Sequence, residues 1–197
     1  MKNFLFILSI FIATGCGEDN TINYNLKTIE IRFAKAKMDI PNSYIKSSPD
    51  ELIEEVKRSD LPEPIVKSRI QFYETIKSYK LKSLVFTDTT NIGNKIMIQE
   101  GEHVMLTKKI SQLYAGKLEQ ELEKNWLTQG VGYKRIEIKF SKGGTTQLVK
   151  LKYNIIFGDY SNYTTQYIIT TLKKTLAITV TSTSKEDYED LIKGMKI

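Results

Sequence analysis

Alternation of apolar and polar residues dominates the last third of the chain. Ile136, Ile138 and Phe140 alternate with Arg135, Glu137 and Lys139, the two-residue period of a strand with one buried face. After Gly143-Gly144 the same period runs through Val149, Leu151, Tyr153, Ile155 and Phe157. A two-residue Gly-Gly hairpin pairs Lys142 with Thr145. Counting back sets Ile138 opposite Val149, Ile136 opposite Leu151, and Glu137 opposite Lys150 on the outer face. Residues 158–163 read as the next turn. Tyr167 and Ile169 then resume the inward face, and Leu176, Ile178 and Val180 form a further strand. A loop at Lys173-Lys174 pairs Ile169 with Ile178. Ser184 caps a closing helix that carries Tyr188, Leu191, Ile192 and Met195.

The earlier residues mix the two periods. Ile29 and Ile31 fit a first strand over 27–33, and Met38-Asp39-Ile40-Pro41 is a short extended piece. Ser48-Pro49-Asp50-Glu51 has the residues of a helix start: a capping Ser, Pro in the first turn and Glu three places on. That helix carries Leu52, Ile53 and Val56 and stops before Pro62. A second, from Glu63, lines up Val66, Ile70, Tyr73 and Ile76. Leu84-Val85-Phe86 and Ile96-Met97-Ile98 read as strands around the turn-rich residues 88–94. The longest helix spans 107–126, with Ile110, Leu113, Tyr114, Leu118, Leu122 and Trp126 at steps of three or four. Strands with helices before, within and after them give an α+β class: an antiparallel sheet flanked by helices in an α/β/α sandwich.

The amino end follows a different logic. Lys2 precedes an almost wholly apolar run from Phe4 to Ile12, and Ala13-Thr14-Gly15-Cys16 supplies small residues ending in a thiol. A secretory signal has this order, with an apolar region of roughly 7–15 residues. A membrane-spanning helix needs about 20. A cysteine at the first mature position resembles the bacterial lipobox, although Ala13 stands where Leu is usual. The expected organisation is a cleaved signal over 1–15, a lipidated tether over 16–26 and one domain over 27–197. Cys16 is the lipid-attachment residue and the membrane is the first partner. The expected location is the bacterial cell envelope, outside the cytoplasm, at the outer membrane or cell surface rather than the inner membrane.

Cys16 is the single cysteine, so lipidation leaves no thiol for a disulfide, a nucleophile or a thiolate metal site. His103 is the single histidine. One imidazole builds no histidine-rich metal centre, and no Gly-x-Ser-x-Gly elbow, phosphate loop or dinucleotide fingerprint accompanies it. No cofactor and no metal are expected. The net charge of +6 is spread over scattered lysines without a run of five or six, which argues against nucleic acid as a partner. The clear carboxylate groups, Glu119-Glu121-Glu123 and Glu186-Asp187-Glu189-Asp190, lie on helices that explain them.

Tyr160, Asn162 and Tyr163 form the candidate binding loop, because tyrosines on a loop offer rigid amphipathic contact area. The element order, with Ile40-Pro41 followed by Tyr44 as an early Pro-x-x-aromatic segment, resembles the PsbP-like superfamily. The two helices between Ser48 and Tyr79 exceed that order. A cone-shaped fold that also packs a long helix on a curved sheet is the rival, and the closing helix after Val180 separates the two. The resemblance implies a docking or binding module and carries over no catalytic residue. The expected function is a lipid-anchored, non-catalytic adaptor that binds a protein or envelope component. The alternatives are a carboxylate-based glycan hydrolase of the envelope, or a secreted immunity or inhibitor lipoprotein.

Overall fold

The computed structural model describes residues 25–61, 63–125, 130–158 and 160–197. Cys16, the tether up to Tyr24 and Trp126 lie outside the described residues, so the readings placed on them are not addressed by the fold.

Among the described residues, nine strands and four α-helices follow one another. They are β1 (Leu26–Ile31), β2 (Ala36–Pro41), β3 (Tyr44–Ser47), α1 (Pro49–Lys57), α2 (Glu63–Ser78), β4 (Ser83–Asp88) and β5 (Lys95–Gly101). Then come α3 (Lys108–Asn125), β6 (Val131–Gly143), β7 (Thr146–Phe157), β8 (Tyr160–Thr170), β9 (Thr175–Ser182) and α4 (Glu189–Lys193). Seven strands form one antiparallel sheet in the order β3-β4-β5-β9-β8-β7-β6. The class is α+β, as the periodicity predicts. Helices α1, α2 and α3 cover one face. The other is covered by the β1–β2 ribbon together with the short α4, through Ile31, Met38, Ile40, Tyr188 and Ile192.

The capping chemistry at Ser48 is present in full. Ser48 Oγ accepts the Glu51 backbone N–H at 3.2 Å, and Glu51 Oε2 accepts that of Ser48 at 2.7 Å, with Pro49 in the first turn. Tyr44, which the sequence singles out after Pro41, opens β3 and is buried, its hydroxyl 3.1 Å from that of Tyr188. Strand β3 itself has no expectation behind it in the sequence. On α3 the buried face is Ser111, Ala115, Leu118 and Leu122, while Leu113 of the expected stripe is 57% exposed.

Both hairpin registers differ from expectation by two residues. Gly143 pairs Thr146 around a Gly144-Thr145 turn, which sets Ile138 opposite Leu151 and Glu137 opposite Lys152. Gly144 takes φ +56°, the positive φ that the first residue of such a turn requires. A break in register between Arg135 and Glu137 turns Ile136 outward, 47% exposed, instead of facing Leu151. Likewise Ile169 pairs Leu176 and Tyr167 pairs Ile178, around a longer loop than Lys173-Lys174 alone.

Closure of the carboxyl end depends on one buried cation. Lys150, its side chain 3% exposed, donates from Nζ to Glu137 Oε2 at 2.7 Å, to Glu189 Oε2 at 3.1 Å and to Asp187. Glu189 Oε1 also accepts Lys139 at 2.8 Å and Lys193 at 2.6 Å, and Tyr167 Oη donates to Asp187 Oδ1 at 2.9 Å. The acidic run at 186–190 therefore ties the final segment to the sheet, and does not simply open a helix. The helix starts late, at Tyr188, without a side-chain cap; Ser184 instead meets Ser182. Glu137 and Lys150 do meet, diagonally across the shifted register.

Burial pushes the Glu189 carboxyl up, but hydrogen bonds from Lys139, Lys193 and Lys150 outweigh it and hold the group at about 2, against an ordinary 4.5. Asp187 is also lowered: burial raises it, and the bond from Lys150 leads the opposing causes. In the unfolded chain these groups take up protons first. Their stabilisation is therefore complete above about pH 4.5 and is lost as the pH falls towards about 2. Urea unfolding across that window should show stability falling with acid, and Glu189→Gln should flatten the slope while lowering stability at neutral pH. An unchanged slope in the variant would show that Glu189 does not anchor the closure.

Candidate functional site

Two apolar clusters lie beneath the helices. One packs α3, with Ile65 and Leu106, on Val131, Val149, Leu151, Tyr153, Ile155 and Ile168. The other packs Leu52, Val56, Phe72, Tyr73 and Ile76 on Val85 and Met97. Between them the same sheet face is polar. Alternation along β8 puts Asn162, Thr164 and Gln166 on the side of Ile168. Their cross-strand partners on β9 include Thr179 and Thr181, and Lys95 of β5 lies opposite Thr181. All six are buried.

A buried polar group away from water needs a hydrogen-bond partner, or it costs about 1–3 kcal/mol. Lys95 has partners: Nζ donates to Glu55 Oε1 at 2.7 Å and to the Ile92 carbonyl. Asn162 is 0% exposed, yet neither its Nδ2 nor its Oδ1 has a protein partner. The hydroxyls of Thr164 and Thr181, opposite each other across β8 and β9, have none either. Four unmatched polar atoms therefore share one polar lane.

A cavity lies beside the outer end of the lane. Tyr160, two residues before Asn162 on the same face, and Phe157 form part of the wall of a space of about 830 Å³. A second wall is the β4–β5 loop, at Asn91, Ile92 and Gly93. Asp88 builds that loop by accepting the Thr90 backbone at 3.0 Å, the Thr90 hydroxyl at 2.7 Å and the Asn94 amide at 3.2 Å. Burial raises the Asp88 carboxyl, and these bonds more than reverse it. Asn91 Nδ2 donates at 3.0 Å to Thr183. Thr183 directly follows Ser182, the last residue of β9 and the partner of Tyr163.

Helices α1 and α2 and the link between them supply the third wall: Glu51, Glu54, Glu55 and Val56 of α1, Arg58, Asp60 and Leu61 of the link, and Arg69 of α2. Arg69 stands four residues after Ile65 and four before Tyr73, in the middle of the buried stripe of α2. Burial lowers its guanidinium to about 10, with Tyr73 and Glu55 opposing the shift. Burial likewise lowers the Lys95 ammonium, against Glu55. Four of the five carboxylates are engaged within the protein, Asp60 being the exception. Glu51 caps α1, Glu54 accepts Lys57 at 2.7 Å, Asp50 accepts Lys77 at 2.6 Å, and Glu55 holds Lys95. The backbone and side chain of Ser48 lower the Glu51 carboxyl, and the Lys57 bond lowers that of Glu54.

The structure does not place the three residues of the expected binding loop on one surface. Tyr160, Asn162 and Tyr163 belong to β8, so the loop assignment is corrected; their part in binding is a separate matter. Pairing with β7 on one side and β9 on the other overrides the turn-like composition. Tyr160 is 50% exposed at the cavity, Asn162 lies inside, and Tyr163 is on the opposite face with Lys152 Nζ 5.9 Å from its ring centre. His103 is exposed between β5 and α3. Among the described residues, no three His, Cys, Asp or Glu gather as a metal cluster would. Sequence reasoning missed Arg69 and Lys95; Arg69 had a signal, a charge at helical spacing inside an apolar stripe.

Neither a family model nor a curated protein matches the sequence. Among solved structures, the chain is similar to the solution structure of cyanobacterial PsbP (CyanoP) from Synechocystis sp. PCC 6803. The TM-score is 0.52 at 11% identity, over 93% of this chain and 98% of that one. It is also similar to the crystal structure of the Saccharomyces cerevisiae Ran-binding protein Mog1p, with a TM-score of 0.44 at 10% identity, over 87% of this chain and 84% of that one. The likeness to CyanoP, with the antiparallel sheet and its flanking helices, establishes the PsbP-like fold.

Replacing the unmatched groups by apolar ones of similar shape should relieve their desolvation cost. Asn162→Leu and Thr164→Val should each raise stability by about 1 kcal/mol in urea unfolding. Destabilisation by both would show that these side chains are already satisfied by the fold.

Proposed function

We propose that this chain is a non-catalytic binding domain, held on the outer side of a bacterial membrane by a lipid on Cys16. One observation supports binding over catalysis. The cavity wall is rich in carboxylates, but Asp50, Glu51, Glu54 and Glu55 are occupied in a helix cap and in ion pairs, leaving Asp60 alone, and the Glu51 and Glu54 carboxyls are lowered. A glycosidase general acid needs its pKa raised towards neutrality, by burial or by a neighbouring negative charge. The wall pairs its acids with lysines instead, so the hydrolase alternative gains nothing from them. A PsbP-like fold is compatible with a docking role, and fold alone assigns none.

The anchor rests on the sequence. The apolar run before Ala13-Thr14-Gly15-Cys16 and the polar residues from Gly17 to Asn25 fit a signal and a tether in front of β1. Among the described residues no helix is long and apolar enough to cross a membrane. Under this reading residues 1–15 leave on maturation and residues 16–26 space the domain from the bilayer. The ligand or partner then meets the domain at the cavity beside Tyr160.

Mass spectrometry of protein from the membrane fraction of its native cells tests the anchor. The expected mature chain starts at Cys16 and carries a diacylglyceryl group, and Cys16→Ser should move the domain to the soluble fraction. An intact amino terminus with a free thiol would contradict the proposal.

A further inference from the structure

The cavity and the polar lane behind it differ in what they leave unmatched, and that difference identifies a ligand class. Most charged groups of the wall are matched within the protein: Asp50 to Lys77, Glu54 to Lys57, Glu55 to Lys95, and Glu51 to the α1 cap, while Arg58 and Asp60, one of each sign, stay exposed to solvent. An anion entering the cavity passes these carboxylates, and a cation moving inward meets Arg69 and Lys95. Neither sign of charge is favoured along the whole path. What remains unmatched at full burial is neutral. Asn162 presents one donor group and one acceptor, and Thr164 and Thr181 present a hydroxyl each. A ligand hydroxyl both donates and accepts, so it pairs with any of these four atoms.

The mouth adds apolar surface to that hydrogen-bonding capacity. Phe157 and the half-exposed Tyr160 stand at the cavity beside Val56, Leu61 and Ile92. An aromatic ring offers a flat face for the C–H side of a sugar ring, and a few polar groups inside a largely apolar wall fix its orientation. About 830 Å³ falls within the roughly 300–1,000 Å³ of small-molecule sites. The second observation is independent of the wall: a fully buried Asn162 amide with no protein partner, one rung inside Tyr160 on the same sheet face.

We propose that the cavity bounded by α1, α2, the β4–β5 loop and Tyr160 binds an uncharged, polyhydroxylated ligand, a sugar unit, with its hydroxyls reaching Asn162 and the threonines behind it. This rests on the reading of the chain as a binding domain and names the ligand class for that site.

The test is titration of the folded domain with glucose, N-acetylglucosamine and its disaccharide, with acetate and ethanolamine as charged probes. Amide NMR follows the Asn162 side chain and the backbone of β8 and β9. Saturable shifts with a neutral sugar are expected at Asn162, Thr164 and Thr181. Tyr160→Ala and Asn162→Leu should each weaken that sugar's binding by about tenfold or more. Tyr160 is exposed, so its variant keeps the test valid even if Asn162→Leu unfolds. Binding of a charged probe in place of the sugars would overturn the ligand class and leave the binding-domain reading standing. So would a long-lived water at Asn162 that no sugar displaces. Saturable sugar binding accompanied by hydrolysis would instead overturn the non-catalytic reading while leaving the sugar site intact.

Discussion

Strands β8 and β9 have helices on one side and the β1–β2 ribbon with α4 on the other. The chain has to bury what these strands carry on both faces. On the ribbon face that demand is met with Tyr167, Ile169, Leu176, Ile178 and Val180, an apolar row that fuses with the core of the first hairpin. On the helical face it is met with Asn162, Thr164, Gln166, Thr179 and Thr181. Hydrophobic burial drives both faces, but only the ribbon face forms a single core. The polar lane keeps the α3 cluster and the α1–α2 cluster apart, and the cavity lies where that lane meets the end of the sheet.

The molecule handles buried polarity in two opposite ways. Around Lys150 nearly every charge is answered: three carboxylates surround one ammonium, Tyr167 completes the set, and the carboxyl end is fastened to the sheet. Such a network rewards completeness, since removing one partner of a buried ion pair costs about 3–5 kcal/mol. The lane behind Tyr160 is incomplete, with Asn162 unpaired at full burial. Unmatched polar groups in a folded interior are costly, and those retained beside a cavity are available to a ligand. The two treatments lie on opposite faces: the Lys150 network on the ribbon face carries matched charge, and Asn162 on the helical face carries unmatched polarity.

Most elements are legible in the sequence because periodicity reports burial, and burial decides element type. The register errors show the limit of that signal. A one-residue slip inverts every side chain and is excluded by the pattern, whereas a two-residue slip keeps Ile138 facing inward whether Val149 or Leu151 stands opposite. Alternation cannot tell the two apart, and the turn at Gly144-Thr145 decides. The same blindness hid the first half of β8, over residues 160–163, which reads as a turn. Ser161 and Asn162 have turn-forming side chains, and only pairing on both edges makes them strand. Lys95 and Asp187 looked like solvated charges because their partners, Glu55 and Lys150, lie about 40 residues away in sequence. The PsbP-like order was readable for a different reason: it depends on the succession of elements, and each of those is local.

If a ligand reaches Asn162, the buried polar lane must be continuous with the cavity at Tyr160. A crystal structure with well-ordered solvent measures this directly. The expected result is a chain of water molecules running from the mouth at Tyr160 to the Asn162 amide and on to the hydroxyls of Thr164 and Thr181. An Asn162 amide paired to a protein group, or to one sealed water cut off from the cavity, would contradict it.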